Sequence, residues 1–175
     1  MGLTQFWKSK KVLITGNTGF KGSWLSIWLD HLGAEIRGYS LEPDNENSLF
    51  KTLEIETLFP TTIADIRDIE KLSSEINDFK PEIVFHLAAQ PLVQESYLNP
   101  RETYEINIMG TINLLDSALQ CPSIKSFINV TSDKVYENKS WEWGYRENER
   151  LNGNDPYSNS KSCADLIASC YKNSL

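Results

Sequence analysis

The sequence predicts an α/β fold in which a parallel sheet carries helices on both faces. Three observations support this. Short apolar segments alternate with helix-like segments along the chain, as in strand–helix–strand crossovers. The first apolar segment, Lys11-Val12-Leu13-Ile14, runs straight into three closely spaced glycines, Gly16, Gly19 and Gly22. The stretch after them switches to apolar spacings of three and four, the period of an amphipathic helix. With 175 residues, 40% of them hydrophobic, the chain has room for one domain with a sizeable core and none for a second full one.

The elements follow in order. A first strand is expected from Lys11 to Thr15. The glycines behind it let backbone approach a pyrophosphate, and the following helix N-terminus supplies free N–H groups and partial positive charge. That combination implies a Rossmann-type doubly wound sheet that binds a dinucleotide. In the first long helix Trp24, Leu25, Trp28, Leu29 and Leu32 form one stripe, which places both tryptophans in the core. A second strand is expected from Glu35 to Ser40. The acid that would bind the cofactor ribose at its end is missing: Ser40 stands there, with Glu42 two residues later and Arg37 three before. On these residues NAD and NADP both remain open.

Leu41 to Pro60 is a long loop with room for a short helix. A third strand, Thr61 to Ala64, leads to Asp65-Ile66-Arg67 at the edge where an adenine would lie. Asp65 either accepts from the adenine amino group or simply forms a turn. Asp68 caps a helix running to Phe79, and a fourth strand covers Glu82 to Leu87, with His86 reading as a core histidine. Asn99-Pro100 opens a long helix to Cys121, its proline at the first helical position. Asn107 inside that helix either distorts it near Tyr157 or is exposed. A fifth strand, Lys125 to Thr131, precedes a loop from Asp133 to Asn154 rich in aromatic and charged residues. Asp155-Pro156 then opens the last helix.

That helix begins Tyr157-Ser158-Asn159-Ser160-Lys161. The four-residue spacing puts Tyr157 and Lys161 on one face, where the ammonium favours the phenolate. A phenolate there can take a proton from a sugar hydroxyl while hydride leaves the same carbon for a nicotinamide.

Composition excludes several classes. A net charge of -7 with a pI near 4.9 and no basic stripe argues against a nucleic-acid partner. Three cysteines, Cys121, Cys163 and Cys170, lack paired metal spacing, and His31 and His86 lie far apart, so neither a disulfide framework nor a metal site is expected. No apolar run is long enough to span a bilayer. A cytoplasmic protein with no membrane partner is the expectation.

The glycine loop, Thr131-Ser132 and the Tyr-Lys pair together resemble the extended short-chain dehydrogenase/reductase family. Thr15 to Leu25, Leu87 to Val93, Thr131 to Asn138, Trp143 to Glu147 and Asp155 to Ser158 resemble, more narrowly, the CDP-glucose 4,6-dehydratases. The resemblance implies roles. Ser132 would hydrogen-bond the sugar hydroxyl, Tyr157 would act as base, and Lys161 would tune it. Asp133 would be the acid that expels the 6-hydroxyl as water. Lys134, where related dTDP-glucose dehydratases have Glu, would stand near the proton removed from carbon 5. On the residues alone, Asp133 also reads as a turn cap and Lys134 as a solvated charge.

The expected cofactor set is Gly16, Thr18, Gly19, Phe20, Lys21 and Gly22 in the loop, Ser40 after the second strand, and Asp65 and Ile66 after the third. Leu87, Ala88 and Ala89 follow the fourth strand, and Tyr157 and Lys161 complete the set. NAD is the cofactor the resemblance implies, a nucleotide sugar the substrate, and a homodimer through the helices at 99–121 and 156–172 the assembly. Family members carry further strands and a substrate-gripping part, so the expectation is an N-terminal portion with its cofactor site and little or no turnover. Asn17 stands where the family usually has His. A nucleotide-sugar epimerase, which needs Tyr157 and Lys161 but not the Asp133-Lys134 pair, and a non-catalytic nucleotide-binding dimerisation module are the alternatives.

Overall fold

Val12, Leu13 and Ile14 are fully buried in the computed structural model, which describes residues 2–43 and 45–174. They lie on β1 (Lys11–Thr15), the middle of a five-stranded parallel sheet. The other strands are β2 (Glu35–Ser40), β3 (Thr61–Ile63), β4 (Ile83–His86) and β5 (Ser126–Asn129), in the order β3-β2-β1-β4-β5. Lys11 pairs with Glu35 on one side of β1 and Val12 with Ile83 on the other. Successive side chains of a strand face opposite ways, so Val12 and Ile14 join Leu29, Ile36, Phe50 and Ile55 in one core layer. Leu13 joins Tyr39, Leu72, Ile76, Val84 and Leu114 in the other. Each such fully buried aliphatic side chain stabilises the fold by roughly 1.5–3 kcal/mol.

The helices are α1 (Leu3–Trp7), α2 (Phe20–His31), α3 (Leu49–Thr52), α4 (Ile69–Phe79), α5 (Val93–Leu98), α6 (Pro100–Tyr104), α7 (Gly110–Leu119) and α8 (Pro156–Ser174). The Asp68 carboxylate accepts from the Lys71 amide and caps α4. That helix buries Leu72, Ile76 and Phe79 and stops at Lys80, which turns left-handed ahead of Pro81. Asp155 accepts from the Ser158 amide at 2.9 Å, capping α8.

Three expectations change. Trp24 and Trp28 are 54% and 56% exposed, so they are not core residues. The buried face of α2 is Gly22, Ser23, Ser26 and Leu29: the helix presses its small residues against the glycine loop, with Ser26 Oγ donating to the Gly22 carbonyl. The apolar stripe is therefore Leu25, Leu29 and Leu32, and each tryptophan sits one residue, about 100° of helix, off it. Next, the helix expected from Asn99 is interrupted by a π-helical turn at Glu105–Met109, and the Asn99 side chain donates to Glu95 and makes no cap. Finally, β3, β4 and β5 are each shorter than expected.

His86 sits at the end of β4, fully enclosed. Thr111 Oγ1 spends its single proton on the Asn107 carbonyl, so it accepts from His86 Nε2 at 3.0 Å. Thr15 Oγ1 then donates to His86 Nδ1 at 2.7 Å while accepting from the Ala88 amide. The ring is thus neutral with its proton on Nε2, and burial pushes its pKa down to about 3, as desolvation of a cation demands.

Candidate functional site

The loops after all five strands meet in one cleft of about 740 Å³, within the range of small-molecule sites. It lies at the carboxyl ends of the strands, where the order reverses between β1 and β4, the position that open α/β sheets use for ligands. Gly16, Thr18, Gly19, Phe20, Lys21 and Gly22 line it after β1, and Ser40 lines it at the end of β2. Asp65 and Ile66 enter after β3, Leu87, Ala88 and Ala89 after β4, and Tyr157 and Lys161 from α8. All the residues expected to touch a cofactor therefore share one cavity.

Each glycine of the loop has a distinct steric reason. Gly16 is left-handed at φ 74°, and a Cβ there would meet the Ala88 amide at 2.7 Å. A Cβ on Gly22 would lie 2.1 Å from the Gly16 carbonyl oxygen, so this glycine lets α2 pack onto the loop. At Gly19 the nearest atom would be 3.4 Å away; this residue is exposed, and its side is open to the cleft. No side chain caps α2 at Gly19, which leaves the first amides of the helix available to an anion. These features fit a dinucleotide pyrophosphate.

Asn17 is buried, donates to Thr61 Oγ1 at 2.9 Å, and fills the space where Gly38 has no side chain. Its Oδ1 has no partner. In the sequence Asn17 is a departure from the family pattern, and the lack of a side chain at Gly38 is the one local sign of its close approach. Asp65 accepts from the Arg67 amide at 2.8 Å and from its guanidinium at 2.6 Å, which makes it a turn former and holds its carboxyl below the usual range. Tyr39, whose hydroxyl donates to the Asp65 carbonyl, also lines the cleft and is not among the expected residues; Gln90 and Thr131, from the motif segments after β4 and β5, line it too.

Tyr157 and Lys161 lie one turn apart on α8 and both face the cleft. Lys161 is 4% exposed and donates to the Val130 carbonyl at 2.9 Å. Burial lowers its pKa to about 8, opposed by Asp165 and assisted by the charge of Lys21. The start of α8 is tied to the rest through Asn107, which resolves in favour of the distorting role. Asn107 is 1% exposed, and its amide nitrogen donates to Ser160 Oγ at 2.8 Å, which donates on to the Tyr157 carbonyl. Asn107 Oδ1 accepts from the Gln90 amide. With the His86 contacts, one buried hydrogen-bond chain runs from Ala88 to Tyr157.

Asp133 and Lys134 lie apart from these residues, in a neighbouring cleft of about 250 Å³ lined also by Tyr136, Tyr145, Asp155 and Ser158. Ser132 caps the turn Asp133–Val135 by accepting from the Lys134 amide, and its hydroxyl donates to Asp133 Oδ1 at 3.1 Å. The loop beyond is folded onto α8: Ser162 Oγ donates to the Val135 carbonyl, Tyr136 pairs with Leu151, and the Tyr136 and Tyr145 rings stack at 5.3 Å. Among the described residues there is no cluster of metal-ligating side chains and no helix long and apolar enough to cross a membrane.

A family model described as GDP-mannose 4,6 dehydratase matches residues 13–175. The chain is 56% identical over 170 residues to a CDP-glucose 4,6-dehydratase of Salmonella typhimurium, covering 97% of this chain and 47% of that protein. Its fold is similar to that of UDP-glucose 4-epimerase from Brucella ovis in complex with NAD, with a TM-score of 0.81, 26% identity, and 95% and 49% of the two chains covered. The Thermus thermophilus UDP-glucose 4-epimerase complex with NAD gives a TM-score of 0.77 at 27% identity, covering 93% and 51%. The chain spans about half the length of the curated relatives it matches.

Proposed function

The chain belongs to the GDP-mannose 4,6 dehydratase family, and from that premise we propose that it provides the NAD-binding and proton-transfer residues of a nucleotide-sugar 4,6-dehydratase acting on CDP-glucose. The observation that carries this reading is the meeting of the glycine loop and the Tyr157–Lys161 pair in one cleft, with Asp133 and Lys134 in a second, smaller cleft that is lined also by Ser158, the residue after Tyr157. The 56% identity to a CDP-glucose 4,6-dehydratase favours the substrate.

Bound NAD would supply a hydride acceptor and later a hydride donor. The chain's residues do the rest. Tyr157, one helical turn from Lys161, would take the proton of the sugar 4-hydroxyl, while Ser132, turning its hydroxyl from Asp133, would hydrogen-bond the same oxygen. Once a carbonyl stands at carbon 4, the proton on carbon 5 is acidified. Lys134 would remove that proton and Asp133 would deliver one to the 6-hydroxyl, which departs as water. The chain Ala88–Thr15–His86–Thr111–Asn107–Ser160 fixes the start of α8 and thereby the height of Tyr157 in the cleft.

The α6–α7 segment and α8 leave Met109, Leu119 and Leu166 about half exposed, which supports these helices as the face of a homodimer; light scattering of the purified chain reads this directly. The functional test is incubation with NAD⁺ and CDP-glucose, with mass spectrometry for loss of water. Asp133→Asn is expected to abolish water loss and leave carbon-4 oxidation largely intact. Unchanged products in that variant would favour an epimerase, and cofactor binding without any product would favour a non-catalytic module.

A further inference from the structure

Asn152-Gly153 is the chain's single Asn-Gly pair, the dipeptide most open to loss of an asparagine amide, because no side chain shields the nitrogen that follows. Packing forces the glycine: a Cβ on Gly153 would lie 2.3 Å from the Ser158 carbonyl carbon and 2.6 Å from the Asn159 amide nitrogen. Asn152 is partly buried, and the two backbone amides that flank its side chain are both tied down. Its own N–H donates to the Val135 carbonyl at 2.9 Å, and the Gly153 N–H donates to Ser162 Oγ at 3.0 Å. Ser162, 2% exposed, donates in turn to the same Val135 carbonyl at 2.7 Å. One carbonyl of the loop and one hydroxyl of α8 thus hold the pair closed.

We propose that Asn152 is a latent deamidation site, kept unreactive by the Ser162 hydroxyl and released when the loop lifts from α8, and that its conversion to isoaspartate unseats the first turn of that helix. In the reaction the Gly153 nitrogen gives its proton to solvent and bonds to Asn152 Cγ, whose bond to the side-chain nitrogen breaks to release ammonia. Water then opens the cyclic imide at one of its two carbonyls, leaving aspartate or isoaspartate. A nitrogen whose proton is held by a buried hydroxyl neither loses that proton readily nor turns toward Cγ, so the first bond waits for a local opening. Isoaspartate routes the backbone through one extra carbon, about 1.5 Å of added length. Just beyond it, Asn159 Nδ2 donates to the Gly153 carbonyl at 3.3 Å, and Asp155 accepts from the Ser158 amide as the cap of α8. Asn154, Asp155 and Ser158 also line the smaller cleft with Asp133 and Lys134, so the added length is felt there.

Peptide mapping by mass spectrometry tests this on the full chain held in mildly alkaline buffer with and without urea, reading amide-to-acid conversion at Asn152 and its isoaspartyl share. The unfolded chain is expected to convert Asn152 at least about tenfold faster than the folded one. Ser162→Ala, with folding checked by circular dichroism, should convert about fivefold faster than the native chain without urea, the worth of one hydrogen bond. Should that variant fail to fold, the ratio between the folded and unfolded native chain decides. In the isoaspartyl fraction the Ser158 amide should exchange its hydrogen about fivefold faster or more, as loss of a helix cap requires. Equal conversion with and without urea, or an unchanged rate in folded Ser162→Ala, overturns the lock. No conversion in urea overturns the site itself, and unchanged Ser158 exchange in the isoaspartyl fraction overturns the link to α8.

Discussion

Replacing Gly19 by alanine separates cofactor binding from folding, because the structure assigns the three loop glycines different costs. Gly19 has φ -74° and ψ 168°, a conformation any residue adopts, and its added Cβ would come no closer than 3.4 Å to the Gly16 carbonyl oxygen. Alanine lowers the entropy of the unfolded chain by about 0.4–1 kcal/mol and is a poorer N-cap than glycine by a similar amount. The net change in stability is therefore within about 1 kcal/mol. The new methyl nevertheless stands on the open side of the loop, where a pyrophosphate must touch backbone. Gly22→Ala is the opposite case: its Cβ would lie 2.1 Å from Gly16 O and 2.6 Å from Asn17 Cα, all backbone that cannot step aside. That overlap costs on the order of 3 kcal/mol or more. Urea melts and NAD⁺ calorimetry on both variants are the assay. Gly19→Ala should melt like the native chain and bind NAD⁺ at least about tenfold more weakly, while Gly22→Ala should be grossly destabilised. Native-like affinity in Gly19→Ala would refute the placement of the pyrophosphate on this loop.

Three further outcomes follow from burial. His86 has a folded pKa of about 3 against about 6.5 unfolded, so the unfolded chain binds the extra proton between those values and stability falls as pH drops through that window. The slope is about 1.4 kcal/mol per pH unit, and His86→Gln should remove it in urea melts between pH 4 and 6, a window of about two units; an unchanged slope would contradict the neutral buried ring. Lys161, lowered from 10.5 to about 8, is protonated in the unfolded chain but not the folded one between those values, so stability rises with pH there. At neutral pH its buried charge costs about 3 kcal/mol. Lys161→Met forfeits about 1 kcal/mol at the Val130 carbonyl, so it should stabilise the chain at pH 7 by about 2 kcal/mol and flatten the alkaline rise. Leu72, fully buried between α4 and the sheet, should lose about 2–5 kcal/mol on truncation to alanine, read from the shift in the urea midpoint; a loss under about 1 kcal/mol would mean the core layer is wrongly described.

The parts of the fold legible in the sequence were those fixed by local chemistry. A strand ending in Gly16-x-x-Gly19-x-x-Gly22, the Asp68 cap of α4, and the Asp155-Pro156 start of α8 each declare themselves within a few residues. The parallel sheet with helices on both faces followed from alternation. What escaped depended on tertiary phase. Trp24 and Trp28 have the right spacing for a core stripe, but α2 is rotated so that its small residues meet the glycine loop, and one residue of phase separates buried from exposed. The π-helical turn at Glu105–Met109 is equally invisible locally, since Asn107 acquires its role only when Gln90, Ser160 and Thr111 surround it. The residues lining the larger cleft are legible because they punctuate strand ends, whereas Asp133 and Lys134 owe their separate cleft to a loop whose folding onto α8 no local pattern announces.

Amide chemical-shift mapping of the labelled chain with NAD⁺ tests most directly whether the glycine-loop cleft is a dinucleotide site. Saturable shifts are expected at Gly16, Gly19, Gly22, Ser40, Ile66 and Ala88, with the amides around Trp141 and Tyr145 little changed. Shifts confined to the Asp133–Tyr145 cleft, or none at millimolar NAD⁺, would contradict it.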